Sequence, residues 1–315
     1  MNRSSEPLIS IIIATYNASY VLKYAIRSLL DSSYENFELL VIGDCCTDDT
    51  EEIVAGFGDE RIQFYNLKKN SGQQATPNNF GLKKARGKYI AFLNQDDLYF
   101  PGHLDSCLRF IQNTDHQIIC APYLSIPPCS RKSLESGNFD VNLFGFRANG
   151  EYTPINFHVA SSWFFEKSVL ETVGFWKTEQ MTYETPSQEW LFRAWKKGVS
   201  IGYLNKITLL VLFTGKRKDF YKLKKSYEHD YFYSRLQDPV FVSGLFEKAA
   251  IFSASDAIEA RFFEPARSFK RLLHYPFRCL LEKLGISPQA VKSRILYRKK
   301  GAGIKKTNKR VGLSN

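Results

Sequence analysis

Residues 8–17 read Leu8-Ile9-Ser10-Ile11-Ile12-Ile13-Ala14-Thr15-Tyr16-Asn17. Eight nearly continuous apolar and β-branched residues, closed by a polar turn, suit a strand buried on both faces. The next segment changes period. Val21, Leu22, Ala25, Ile26, Leu29 and Leu30 follow helical spacing over 19–32. Phe37 to Ile42 is a second strand, Asp48 to Phe57 a helix capped by Thr47 or Asp48, and Ile62 to Leu67 a third strand. A loop over Asn70 to Asn78 leads to a helix ending near Gly87, and Tyr89 to Leu93 is a fourth strand. Strands alternating with helices imply right-handed crossovers and a mostly parallel central sheet flanked by helices, Rossmann-like in class. Beyond it, 117–124 reads as a strand, 125–158 as irregular, and 166–173, 187–197, 218–236 and 244–263 as helices.

Ligands of such sheets bind at the carboxyl ends of the strands. Those ends carry Thr15-Tyr16-Asn17, then Asp44, then Asn94-Gln95-Asp96-Asp97. Adjacent carboxylates at a strand end suit Mg²⁺ or Mn²⁺, hard ions that take oxygen ligands and bridge to phosphates. The competing reading of Asp96-Asp97 is a turn and helix cap before Pro101. Convergence of further polar groups at neighbouring strand ends favours the site. Asp44 suits a hydrogen bond from a base or ribose, or an Asx-turn. Glu189, in the first turn of a helix capped by Ser187, suits a general base or simple helix-dipole compensation; Glu179 and Glu184 are rival bases.

Several chemistries are excluded. No G-x-G-x-x-G follows the first strand and no G-x-x-x-x-G-K-[ST] is present, so neither a dinucleotide fingerprint nor a P-loop is available. The five histidines are dispersed, without zinc spacing or a nucleophile elbow. The six cysteines lack C-x-x-C spacing, and Cys45-Cys46 reads as incidental to its turn. No apolar run reaches the roughly 20 residues of a membrane span. These features, with no basic-then-apolar leader over Met1 to Pro7, imply a cytoplasmic setting.

The 315 residues carry 43 Lys+Arg and 32 Asp+Glu, a net charge of +11. Residues 266–315 hold 14 of the basic residues and one acid, Glu282, leaving 1–265 at −2. The basicity belongs to the tail. Phe269, Leu272, Leu273, Tyr275, Phe277, Leu280 and Leu281 interleave there with Arg267, Lys270, Arg271, Arg278 and Lys283, interrupted by Pro276. The pattern suits an amphipathic segment on an anionic membrane surface, or a packed helix followed by a solvated tail. No nucleic-acid-binding fold accompanies it, so no nucleic-acid partner is expected. Three parts follow: 1–215 with the site, 216–265 as helices packed on it, and 266–315 as a basic, partly disordered extension.

The motifs together resemble the family 2 glycosyltransferases of the GT-A fold, from Leu8 to about Gly198. Ile11 to Asn17 resembles that family's opening strand and T-Y-N turn. Gly43-Asp44-Cys45-Cys46-Thr47-Asp48 is similar to its D-D-G-S-T-D turn. Asn70-x-Gly72, Asn79-Phe80-Gly81 and Ala85-Arg86-Gly87 resemble its N-x-G, A-R-N-x-G and A-x-G series. Tyr89 to Asp97, with Pro101, looks like F-L-D-x-D-D…P, and Val173-Gly174-Phe175 like V-G-G-F. The resemblance implies a nucleotide-sugar donor, usually with uridine, and a Mn²⁺ or Mg²⁺ cofactor. Thr15, Tyr16, Asn17, Asp44, Asn79, Asn94 and Asp97 would bind the donor, Asp96 the metal, and Glu189 would be the base. Asn94 stands where the family has the first Asp of its D-x-D, and Glu189 where its base is Asp. It implies inverting transfer to a hydroxyl of a glycan or lipid-linked acceptor, in surface polysaccharide or glycolipid synthesis at the inner face of the membrane. A non-catalytic nucleotide-binding scaffold is the alternative, and a nucleotidyltransferase, lacking a basic glycine-rich loop after strand one, ranks last.

Overall fold

The computed structural model describes residues 6–145, 152–154, 157–213, 217–259 and 275–313. β1 (Ile9–Thr15) is buried along almost its whole length, as its apolar run requires. Around it lie β2 (Phe37–Gly43), β3 (Ile62–Asn66) and β4 (Tyr89–Phe92). β1 pairs in parallel with both β2 and β4, and β2 with β3. β9 (Trp163–Glu166) joins β4 antiparallel, followed by β6 (Ile118–Cys120) and β10 (Ile201–Tyr203). The seven-stranded order is β10-β6-β9-β4-β1-β2-β3, with β9 the reversed strand. The chain moves outward from β1 in both directions, so a crevice opens between the carboxyl ends of β1 and β4.

Helices α1 (Ser19–Leu30), α2 (Thr50–Ala55) and α3 (Ala75–Lys84) make the crossovers. α3 lies close on β1 because Gly81 has no Cβ; one placed there would come within 2.6 Å of Ile12 Cγ2. The Ala85-Arg86-Gly87 stretch ties three strands together. Glu38 on β2 accepts from Ser10 Oγ on β1 at 2.6 Å and from Arg86 N and Nε, while Gly87 N donates to Ser10 Oγ just before β4. These donors hold the Glu38 carboxyl below its ordinary range despite its burial.

A second sheet, ordered β5-β11-β7-β8, is built from β5 (Asp97–Tyr99), β7 (Tyr123–Ile126), β8 (Asn142–Phe144) and β11 (Leu209–Leu212). The strand expected over 117–124 is two strands in two sheets. Pro122 has no N–H to continue a central ladder, and the chain changes sheets there. α4 (His103–Gln112) and α5 (Arg131–Glu135) flank these strands, the latter inside the stretch expected to be irregular. α6 (Val169–Val173) and α7 (Pro186–Lys196) fall where helices were expected, although Glu166 ends β9.

The helix expected over 218–236 is α8 (Phe220–Leu223) and α9 (Tyr227–Tyr233), parted at Lys224, whose φ is +43°. α10 (Pro239–Ile258) starts earlier than expected, on the Asp238 cap; the expected end over 260–263 lies outside the described residues. It is not amphipathic: Val240, Ile251 and Ile258 are exposed while Leu245 and Ala249 are buried. The described part of the basic extension is helical: α11 over 275–283, α12 (Pro288–Tyr297) and α13 (Ala302–Val311). Pro276, expected to interrupt the segment, is in helical conformation beside the edge of the described residues.

Candidate functional site

A cavity of about 710 Å³ opens at the carboxyl ends of β1, β2 and β4, large enough for a ligand of several rings. Thr15, Tyr16, Asp44, Asn94 and Asp96 line it, as the strand-end reading expects. Gln95 braces the crevice. Its Oε1 accepts from Thr15 Oγ1 at 2.8 Å and Tyr16 N at 3.1 Å, and its Nε2 donates to the Tyr221 hydroxyl at 3.0 Å.

Asp44 is held by the turn after β3. Ser71 N and Gly72 N each donate to it at 3.0 Å, and Ser71 Oγ donates at 2.9 Å. Burial lifts its proton affinity above the ordinary carboxylate range, and these donors oppose the rise. The turn needs Gly72, whose φ is +69°. The Asn70-x-Gly72 pattern is visible in the sequence; its function as the holder of Asp44 is not.

Asp96 and Asp97 do different work. Asp96 faces the cavity, and its carbonyl accepts from His229 Nε2 at 3.1 Å. Burial pushes His229 down to about 4, so the imidazole is neutral at physiological pH. Asp97 opens β5 just after the Gln95-Asp96 turn, and its carboxyl is buried instead of facing the cavity. Its Oδ2 accepts from Asn94 Nδ2 at 2.8 Å and Ser161 Oγ at 2.5 Å. Complete burial, then the charge of Asp96, raises its proton affinity well above normal. Asp97 was expected to meet the donor; it lies behind the wall and holds Asn94.

Two other expected donor contacts are also one layer back. Asn17, at φ +44°, accepts from Thr47 N at 2.7 Å and locks the two strand-end turns together. Asn79 makes paired hydrogen bonds with the backbone of Trp176, at 2.8 and 2.9 Å, which sets the Trp176 side chain in the cavity wall. Neither Asn17 nor Asn79 lines the cavity itself.

Glu189 is not placed as a base. The part of α7 that reaches the cavity is its N-terminus, Thr185, Pro186 and Ser187. Glu189, one turn further along than Pro186, is not among the residues lining the cavity. It accepts from Arg193 Nε and Nη2 at 3.0 Å and pairs with Lys177 Nζ at 2.7 Å. Arg193 in turn donates to the carbonyls of Val173 and Phe175, closing the end of α6. The rivals do not line the cavity either. Glu184 accepts from Ser287 Oγ on the α12 cap at 2.8 Å, and burial, with the charge of Glu189, raises it to about 7. Burial also raises Glu179. Among the described residues, the carboxylates lining the cavity are Asp44 and Asp96.

The metal expectation has a matching donor set of modest size. No group of three His, Cys, Asp or Glu side chains gathers among the described residues. One inward carboxylate, Asp96, suits an ion whose remaining ligands are water and ligand phosphates, as Mg²⁺ commonly has. Tyr221 on α8 and Ile304, Thr307, Asn308 and Val311 on α13 also line the cavity. The sequence reading missed them, since their only signal was an i, i+3, i+4, i+7 spacing inside a basic run.

The order of these motifs matches a known family model, described as Glycosyl transferase family 2, over residues 10–174, just over half the chain. This chain belongs to glycosyl transferase family 2. The transferase is 37% identical over 108 residues to the putative teichuronic acid biosynthesis glycosyltransferase TuaG of Bacillus subtilis (strain 168), covering 34% of this chain and 42% of that protein. An uncharacterised glycosyltransferase of Rickettsia bellii (strain RML369-C) is 38% identical over 139 residues, 43% of this chain and 20% of that one. The matched region therefore spans less than half the length of these relatives. S. aureus TarS 1-349 in complex with UDP-GlcNAc superposes with a TM-score of 0.52 at 20% identity, covering 65% of this chain and 58% of that one. TarS in complex with UDP gives the same TM-score over 72% of this chain and 63% of that chain. At that identity the likeness shows the fold, which is GT-A.

Proposed function

We propose that the transferase moves a sugar from a UDP-sugar to a hydroxyl of a glycan or lipid-linked acceptor, with inversion. The observation that carries this is the cavity where Thr15, Tyr16, Asp44, Asn94 and Asp96 converge from three strand ends. The structures of TarS with UDP and UDP-GlcNAc support the choice of nucleotide. Thr15, Tyr16 and Asp44 are assigned to the nucleoside, and Asp96 to a Mn²⁺ or Mg²⁺ ion beside the diphosphate. When bound, that ion supplies positive charge against the leaving diphosphate. Asn94, held by Asp97, presents a neutral amide where a second carboxylate would repel the donor's phosphates. The acceptor oxygen bonds to the anomeric carbon as the bond to the diphosphate breaks, and UDP leaves with that electron pair. The acceptor proton is released to a carboxylate or to water: among the described residues the carboxylates lining the cavity are Asp44 and Asp96, and Glu189 could take it only by leaving both Lys177 and Arg193.

The acceptor side is proposed to lie at an anionic bilayer. Tyr275, Phe277 and Leu280 on α11, Leu284 just after it, and Ile295 and Leu296 on α12 are exposed among the basic residues of a segment that carries +13. No helix among the described residues is long and apolar enough to cross a membrane.

The test is UDP release from a panel of UDP-sugars with Mn²⁺ or Mg²⁺, comparing wild type with Asp96→Ala. Asp96→Ala should lower turnover by about 10²-fold or more, the usual scale for losing a group that stabilises developing charge. Absence of UDP binding to the wild type with either ion would remove the reading.

A further inference from the structure

One wall of the cavity comes from far outside the family-matched residues 10–174. Ile304, Thr307, Asn308 and Val311 share one face of α13, spaced i, i+3, i+4 and i+7, and all four line the cavity. Lys305, Lys306 and Lys309 on the other faces are exposed. The side of α13 turned to the cavity is therefore uncharged, unlike the rest of the segment.

The helix is anchored at both ends. Gly301 N donates to the carbonyl of Thr182 at 3.2 Å, and Asp219 N to that of Arg310 at 3.0 Å. Val311 is buried with Ala18, Val21 and Phe220, beside the carboxyl end of β1. Between the anchors, Asn308 Nδ2 donates to the Gly72 carbonyl at 2.8 Å. Gly72 is the residue whose own N–H holds Asp44 at 3.0 Å. Asn308, Gly72 and Asp44 thus form one chain of hydrogen bonds that enters the site from α13.

We propose that α13 is a wall of the donor site and that Asn308 is a positioning residue, fixing the Asn70–Gly72 turn so that Asp44 is presented to the nucleoside. The proposal rests on the donor-site reading above. It makes the basic C-terminal segment part of the binding machinery of this transferase. Its neutral face meets the nucleotide, and its cationic faces are left to solvent or to a membrane.

The experiment uses the full chain and UDP as the probe, by titration calorimetry, with Asn308→Ala, Asn308→Asp and Asp44→Ala. Hydrogen exchange over 304–311 is followed with and without UDP. Losing the Asn308 hydrogen bond should weaken UDP binding about fivefold to tenfold for both Asn308 variants. The thermal midpoint without ligand should stay near that of the wild type. UDP should slow exchange over 304–311, a response that a purely structural helix far from the ligand would not give. Asp44→Ala should weaken binding further. If Asp44→Ala weakens binding while both Asn308 variants bind UDP like the wild type and exchange over 304–311 ignores UDP, the wall is overturned and the donor site stands. Tighter binding by Asn308→Ala would make α13 a plug and also overturn the proposal. A wild type that binds no UDP removes the donor-site reading, and this inference with it.

Discussion

Glu189→Gln separates stability from chemistry at the residue the sequence offers as base. The substitution removes one charge and keeps the shape. In the fold, the Glu189 and Arg193 side chains are 13% and 17% exposed, which places their pair between a surface salt bridge and a buried one. Exposed pairs contribute under about 1 kcal/mol, and breaking a buried pair costs about 3–5 kcal/mol. Arg193 keeps its carbonyl partners at Val173 and Phe175, and Lys177, 40% exposed, can rehydrate. The expected cost is therefore about 2 kcal/mol, or about 3 °C in thermal midpoint for a chain of this size. Turnover at 25 °C, well below the transition, should stay within about threefold of wild type. The assay pairs a thermal melt with UDP release at saturating donor. An unchanged melt with turnover down by about 10² or more would refute the reasoning, since that is what loss of a general base gives.

Glu184→Gln should show a distinct pH signature. The folded carboxyl is raised to about 7 by burial, so its contribution is full below the unfolded value, near 4.5, and is lost as pH rises through about 7. The wild type should lose up to about 3 kcal/mol across that window relative to the variant; urea melts at pH 5 and pH 8 that keep the same gap between the two proteins would contradict this. Cys45 sits at φ +66°, where a side chain costs about 1–2 kcal/mol. Cys45→Gly should therefore raise the melting temperature by about 1.5–3 °C, and a lower melting temperature would show that the thiol packs better than its backbone suffers. Replacing both Phe277 and Leu280 with Asp should reduce co-sedimentation with phosphatidylserine-containing vesicles severalfold; wild-type recovery would take α11 out of the membrane proposal.

The parallel sheet was legible because its strands are local signals. β1 and β2 are apolar and rich in branched residues, and each of β1 to β4 falls within a residue or two of its expected bounds. The division of 117–126 at Pro122 was harder to read, since Ile118 to Ile126 is apolar apart from Ser125 and one proline decides which sheet receives each half. Within the site, strand-end position found the residues that face the cavity, Thr15, Tyr16, Asp44, Asn94 and Asp96. It could not separate them from Asn17, Asn79 and Asp97, whose hydrogen bonds support the wall from behind.

By itself the sequence determined the alternation of strands and helices, the motif order of family 2, and the strand ends where a ligand is met. Those follow from the period of apolar residues and from turn chemistry, which act over a few neighbours. Only the tertiary structure decided direction and closure. Asp96 faces the cavity from the turn before β5, and Asp97 the interior, where Asn94 and Ser161 hold it. Glu189 lies one turn beyond the end of α7 that reaches the site and pairs with Lys177 and Arg193. Asn308 reaches Gly72 across 236 residues of chain, a contact set by packing energy spread over the whole fold, and no local pattern in the basic segment carries it.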